Sequence, residues 1–90
     1  MSDDHKGFEE LNKETAEAKQ QVEVGGKYVH YKDDSKTYTV LGIAVIEDKD
    51  VVSVRYSQDG EANVEFIRPL EEFTSKVDHD AEIKQRFKKV

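Results

Sequence analysis

TYTVLGIAVIEDKDVVSVRYSQDGEANVEFIR, residues 37–68, decides the fold. It divides into three β-rich runs, 37–47, 51–57 and 61–68, parted by the turn-forming clusters Asp48-Lys49-Asp50 and Gln58-Asp59-Gly60. In the second run Val52, Val54 and Tyr56 alternate with polar residues, and in the third Ala62, Val64 and Phe66 do the same. A period of two places each set on one face, so both faces are predicted to point inward. Residues 40–46 differ, being apolar without a polar alternate, and a strand so composed needs cover on both sides. Gly42 in its middle weakens the ladder and is expected to mark a bend or bulge. Pro69 has no amide hydrogen to donate and is expected to end the pairing.

Upstream, KYVHYK at 27–32 reads as a further strand, followed by a turn at Asp33-Asp34-Ser35-Lys36, which makes three successive hairpins. Downstream, Leu70 and Phe73 are spaced as one helical turn, a short strand is expected at 74–77, and Asp78-His79-Asp80 is a polar turn. Ile83, Phe87 and Val90 have helical spacing, so the end is predicted as a helical turn rather than an edge strand. The sum is a mainly β (α+β) chain, a small five-stranded antiparallel SH3-like barrel. Before it lies FEELNKETAEAKQQV, 8–22, free of Gly and Pro and with Glu9 and Glu10 at the positive end of a helix dipole. Phe8, Leu11, Thr15, Ala18 and Val22 form a narrow seam on that helix, and Gly25-Gly26 is the expected stop. The seam is expected to dock on the β domain, the alternatives being a dimer contact or an arm that orders only on a partner, and the helix is the expected cover for the outer face of the apolar strand, a second protomer in a homodimer being the other. The domains are thus a helical acidic arm, 1–24, and a barrel, 25–90.

Ninety residues leave room for one core. With 36% hydrophobic and 38% charged residues, the chain depends on the placement of its apolar positions more than on their number. Residues 1–24 hold three Lys against seven Asp or Glu, a charge of −4 out of the total of −6. That balance disfavours nucleic acid as the main partner, since neutralising phosphates takes a basic surface. Lys84, Arg86, Lys88 and Lys89 are the one cationic cluster, able to meet phosphate or an anionic partner or to be a solvated end. No cysteine is present, so disulfides, thiolate chemistry and cysteine-zinc sites are out, and the chain suits a reducing compartment. The N-terminus lacks a signal-peptide pattern and nowhere do enough apolar residues run together to span a membrane, so the expected location is cytoplasmic, with no membrane partner.

Gly26-x-Tyr28-x-His30-Tyr31-Lys32, Tyr38-x-Val40-Leu41-Gly42-x-Ala44, Arg68-Pro69-x-x-x-Phe73 and Arg86-Phe87 follow one another in the chain. In that order they resemble a bacterial family catalogued as a domain of unknown function, number 1653, over about residues 24–90. The resemblance implies a compact β domain and carries no activity with it. Two stretches depart from the family's usual pattern: Ile46-Glu47-Asp48-Lys49 replaces a His-Ser-Glu-Thr-like sequence, and Phe66-Ile67 precedes Arg68-Pro69 where a Trp is usual. Any role tied to that His, Ser or Trp is altered here.

The three histidines, His5, His30 and His79, sit on separate segments without metal-ligand spacing. Gly25-Gly26-Lys27 lacks the first glycine of a phosphate loop, and Tyr28 stands where the magnesium-binding hydroxyl would be. Cofactors are therefore expected to be none. Ser53 or Ser57 with His30 and a carboxylate is the one nucleophilic combination, and no elbow motif supports it. An enzyme is not expected. The set that invites function is aromatic and cationic: Tyr28, His30, Tyr31, Tyr38, Tyr56, Phe66 and Arg68. Tyr28 and His30 point to one side of their strand and Tyr31 to the other, so one side should be accessible to a ligand. The alternative role of the set is to fill the core and seal the rim. The expected function is a binding module for a protein or peptide through this aromatic strand and Arg68. Single-stranded nucleic acid held by base stacking is the alternative.

Overall fold

A computed structural model describes residues 6–90, so His5 and the first four residues of the arm lie outside the description. The elements run α1 (Phe8–Gln21), β1 (Lys27–His30), β2 (Asp33–Ile46), β3 (Val51–Gln58), β4 (Phe66–Pro69), α2 (Leu70–Phe73), β5 (Lys76–His79), β6 (Glu82–Gln85) and β7 (Phe87–Lys89). Five strands form one antiparallel sheet in the order β4-β3-β2-β1-β7, and β5 and β6 pair as a separate hairpin. The chain is mainly β with one helix and a one-turn helix. The five-stranded sheet ends on β4 and β7, which do not pair with each other, and no closed barrel is formed.

One face of this sheet carries the core. Val22, Tyr28, Val40, Val54, Tyr56, Phe73 and Phe87 pack together, with Tyr38, Ile43 and Leu70 at their margin. The alternation read in β3 holds, as Val52, Val54 and Tyr56 are 7, 0 and 5% exposed. Leu41 is an extra residue between the pairs Val40↔Tyr56 and Gly42↔Arg55, so Val40 and Ile43 face the core together. That bulge is the bend expected at Gly42. A Cβ at Gly42 would stand 3.0 Å from the Arg55 guanidinium, which lies across the strand there.

α1 matches the predicted helix to within a residue, but its end is set by Val22 rather than by the glycines. Val22 leaves in an extended conformation while its N–H still bonds Ala18 O, and Gly25, with φ of 86°, makes the following turn. The seam is sealed progressively: Phe8 is 85% exposed, Leu11 and Thr15 are half-buried, and Ala18 and Val22 are closed off. Val22 enters the same cluster as Phe73, which puts α1 on the core face beside α2. The outer alternates of the apolar strand, Gly42, Ala44 and Ile46, are partly buried to the same degree as the inner ones, Ile43 and Val45, but the helix expected over the outer face lies on the core face instead.

Four strand readings are corrected. The first turn is Tyr31-Lys32 rather than 33–36, because Lys32 N–H bonds the His30 ring and Asp33 already pairs with His30. The fourth strand covers only Phe66–Pro69: Glu61 and Val64 donate to carbonyls three residues back, curling 59–65 into turns that leave Ala62 and Val64 exposed, and Phe66 is 45% exposed. Pro69 closes this strand from within it, which an edge strand tolerates. The strand expected at 74–77 sits at Lys76–His79 instead. The C-terminus is not helical: residues 82–85 complete the β5–β6 hairpin and β7 pairs antiparallel with β1, which buries Phe87 and leaves Lys88 and Lys89 out.

Candidate functional site

All seven residues singled out in the sequence belong to one connected group of rings and cations, built on Phe73 and Phe87. Those two rings stack at 4.3 Å with an interplanar angle of 6°, α2 supplying one and β7 the other. Tyr28 meets Phe73 edge-on at 5.4 Å, and Tyr56 meets Phe73, Phe87, Tyr38 and Phe66 at 5.2–5.9 Å. The polar ends of the buried tyrosines are used internally. Glu23 N–H donates to the Tyr28 hydroxyl at 3.0 Å, and Arg68 Nε donates to the Tyr56 hydroxyl at 3.3 Å. Arg68 also bonds Glu72 at 3.3 Å and lies over the Phe87 ring, so its guanidinium ties β4 to α2 and the core. Tyr28 and Tyr56, at 6 and 5% exposure, are thus core residues with anchored hydroxyls.

The accessible part of the group lies at the other end, where β1 turns into β2. His30 is in ring contact with Phe87 at 5.0 Å and with Tyr31 at 4.6 Å, and Tyr31 continues the series to His79 at 5.2 Å. The β5–β6 hairpin brings His79 there, held by Arg86, whose carbonyl accepts the Tyr31 N–H of the β1–β2 turn and whose N–H and side chain bond Ser75 ahead of β5. An open cleft of about 900 Å³ results, lined by His30, Tyr31, Lys32, His79, Lys84 and Lys88, with Asp33 and Asp34 on one wall. Lys32 sits over the Tyr31 ring at 5.8 Å, Lys84 is 3.7 Å from Glu82, and neither Lys32 nor Lys88 has an ion-pair partner among the described residues.

His30 Nδ1 accepts the Lys32 N–H at 3.2 Å, which leaves Nε2 to carry the proton of the neutral ring. Burial holds its pKa below the usual histidine value, and the charges of Arg68, Arg86 and Lys32 add to the effect. His79 Nδ1 is closed off from solvent without a hydrogen-bond partner, 3.8 Å from an Asp80 oxygen. Ser53 and Ser57 are buried on the face of β3 opposite Val54 and Tyr56, so neither approaches His30. Among the described residues no cluster of three His, Asp or Glu side chains has the form of a metal site. Nor is any of their helices long and apolar enough to cross a membrane.

Sequence reading found the aromatic half of this cleft and missed that His79, Lys84 and Lys88 complete it. The signal was present as the C-terminal cationic run, but it takes the β1–β7 pairing to bring Lys88 to the cleft and the β5–β6 hairpin to bring Lys84 there.

A family model described as protein of unknown function (DUF1653) matches residues 26–89. The crystal structure of a DUF1653 protein from Bordetella bronchiseptica superposes with a TM-score of 0.64 at 32% identity, covering 78% of this chain and 90% of the other. No curated protein matches. The four motifs that carried the resemblance fall inside the matched span, and each contributes to the core just described: Tyr28, Val40, Phe73 and Phe87 fill it, and Arg68 caps it. With its matched span covering the whole sheet, the chain belongs to the DUF1653 family.

Proposed function

We propose that this domain is a non-catalytic binding module that takes an extended acidic segment of another protein in the cleft between the β1–β2 turn and the β5–β6 hairpin. The observation that carries the reading is the placement of Lys32 and Lys88, without ion-pair partners among the described residues, beside the half-buried rings of His30, Tyr31 and His79. Lysine stems and aromatic faces bind apolar and cationic or anionic parts of a peptide side by side. Within the sequence-derived set, His30 and Tyr31 are then the contact residues, Phe66 lies outside this cleft, and Arg68, Tyr28, Tyr38 and Tyr56 support it from below.

Nucleic acid is the second reading, favoured by the same rings and lysines. The cleft's mixed lining argues for peptide, since the wall of Asp33 and Asp34 repels a phosphodiester backbone, whereas a peptide can place an amide or a cation there. An SH3-like arrangement and a cytoplasmic location belong to the same reading, the strand order β4-β3-β2-β1-β7 supporting the former with the β5–β6 hairpin set between the one-turn helix and β7.

The test is a titration of isotope-labelled protein, followed by backbone amide spectra. The probes are an eight-residue Glu-rich peptide with one Tyr, its Lys-for-Glu counterpart, and a single-stranded oligonucleotide of eight thymidines. The acidic peptide should shift residues 30–34, 79 and 84–88, and Lys84→Glu should weaken it at least tenfold. Shifts there with the oligonucleotide alone would turn the reading to nucleic acid. Silence with all three would end it.

A further inference from the structure

On the far side of the molecule α1 and the β2–β3 hairpin diverge. The seam of α1 is closed at Ala18 and Val22, but towards the helix start it lifts away, leaving an open groove of about 750 Å³. Phe8, Leu11 and Thr15 form one wall and Val45 the other. Phe8, at 85% exposure, is the most exposed large apolar side chain among the described residues, and a partner that covered it would remove that apolar surface from water.

The rim of this groove is acidic. Glu47 and Asp48, at the hairpin turn, are exposed and have no ion-pair partner among the described residues, and Asp50 lies beside them. Among the described residues the lining holds one cation, Lys6, whose ammonium is occupied by Glu14 at 2.9 and 3.0 Å while its backbone N–H donates to Asp50. The groove therefore offers apolar contact within and the negative charge of Glu47 and Asp48 at its edge. Complementary charge selects partners by raising the encounter rate and penalising like charges.

We infer that this groove docks a basic amphipathic segment of another protein, which lays an apolar side chain against Phe8, Leu11 and Val45 and sets its cations against Glu47 and Asp48. The site is distinct in place and opposite in sign from the cleft at His30 and Tyr31, so it stands or falls independently of that reading.

Three synthetic 14-residue peptides test it by amide spectra of the full chain at 150 mM salt. One is an amphipathic pattern of Leu and Lys, one has Glu for every Lys, and one has Ser for every Leu. The Leu/Lys peptide should shift residues 8–15 and 45–50, and the other two should leave these unmoved. Phe8→Ser and the double variant Glu47→Lys, Asp48→Lys should each weaken binding at least tenfold. All three positions are exposed, so the variants' spectra should otherwise match the parent's. Equal binding of the Ser-containing peptide would overturn the apolar insertion, and equal binding of the Glu peptide would overturn the charge selection. Concentration-dependent shifts at 8–15 without any peptide would overturn the proposal in favour of a second copy of this chain as the occupant.

Discussion

Val54 shows most directly how one residue reports on the fold. Its side chain is fully closed off, between Ile43 and Arg68 on the neighbouring strands. Val54→Asp would bury a charge without a partner, costing several kcal/mol against a stability of about 5–15 kcal/mol for a typical domain. The variant should lose its dispersed amide spectrum, and a fully folded Val54→Asp would show that the face of β3 is misassigned. Position 54 was legible because apolar and polar residues alternate on both sides of it. Val64 alternates equally well, yet the carbonyls of Gln58 and Glu61 draw 59–65 into turns, and local hydrogen bonds win over the pattern. His30 gives a second test at this scale. Its folded pKa lies below the usual 6.5, so in the interval between the two values the unfolded chain binds the proton more readily. Stability should therefore fall as pH drops through that interval and level off below the folded pKa. His30→Gln should show a smaller loss between pH 7.5 and 5 in urea unfolding, and an identical loss would remove His30 as the cause. A bound carboxylate beside the ring would favour its charged form, so an acidic peptide in the cleft should bind more tightly as pH falls over the same range.

Among the elements, the β5–β6 hairpin is held by a turn in which Asp80 and Ala81 have φ of 54° and 64°. Two positive values suit the twist of a two-residue hairpin, but alanine pays a steric cost there that glycine does not. Ala81→Gly should raise stability by up to about 1 kcal/mol in urea unfolding, and a destabilised variant would mean that the turn has another geometry. This hairpin and β7 were the least legible part of the sequence. Ile83, Phe87 and Val90 keep a helical spacing, and what overrides it is a partner distant in the chain: β1 takes β7 as a neighbour, and Phe73 takes the Phe87 ring. The same pairing explains why the lysines of the cleft could be seen in the sequence while the cleft could not. α1 was legible, its docking face less so. A chain starting at Val22 keeps the aromatic core and loses the cover that Leu11 and Ala18 give the β2–β3 hairpin. It should still fold, with a deficit of about 2 kcal/mol from exposed apolar area and hence a Tm lower by about 10 °C. An unchanged Tm would mean that α1 is not docked in solution.

For the molecule as a whole, shape and charge act together. Its radius of gyration is 14.3 Å, with extents of 45 × 33 × 21 Å, where a compact chain of this length would have about 12 Å. The long β2–β3 hairpin and the helix lying along it draw the body out, and charge is divided along it. Acidic residues dominate α1 and the hairpin tip, and cations gather in the run Lys84, Arg86, Lys88 and Lys89 through β7. The two regions meet where Glu23 pairs with Lys89, one turn past the helix end. Glu9 and Glu10 are a helix length away from there, about 21 Å for this element. At physiological salt the Debye length is about 8 Å, so the field of those carboxylates is largely screened before it reaches the cleft. The net charge of −6 should then be a poor guide to what the cleft binds. Replacing Glu9 and Glu10 with Gln should change the affinity for an acidic peptide by less than about twofold at 150 mM salt, and by more at 10 mM, where the Debye length grows to about 30 Å. Lys88→Glu, at the cleft itself, should weaken the same peptide at both salt concentrations. If instead the helix substitutions act as strongly as Lys88→Glu at 150 mM, the peptide is responding to overall charge rather than to the cleft, and its site must be sought elsewhere.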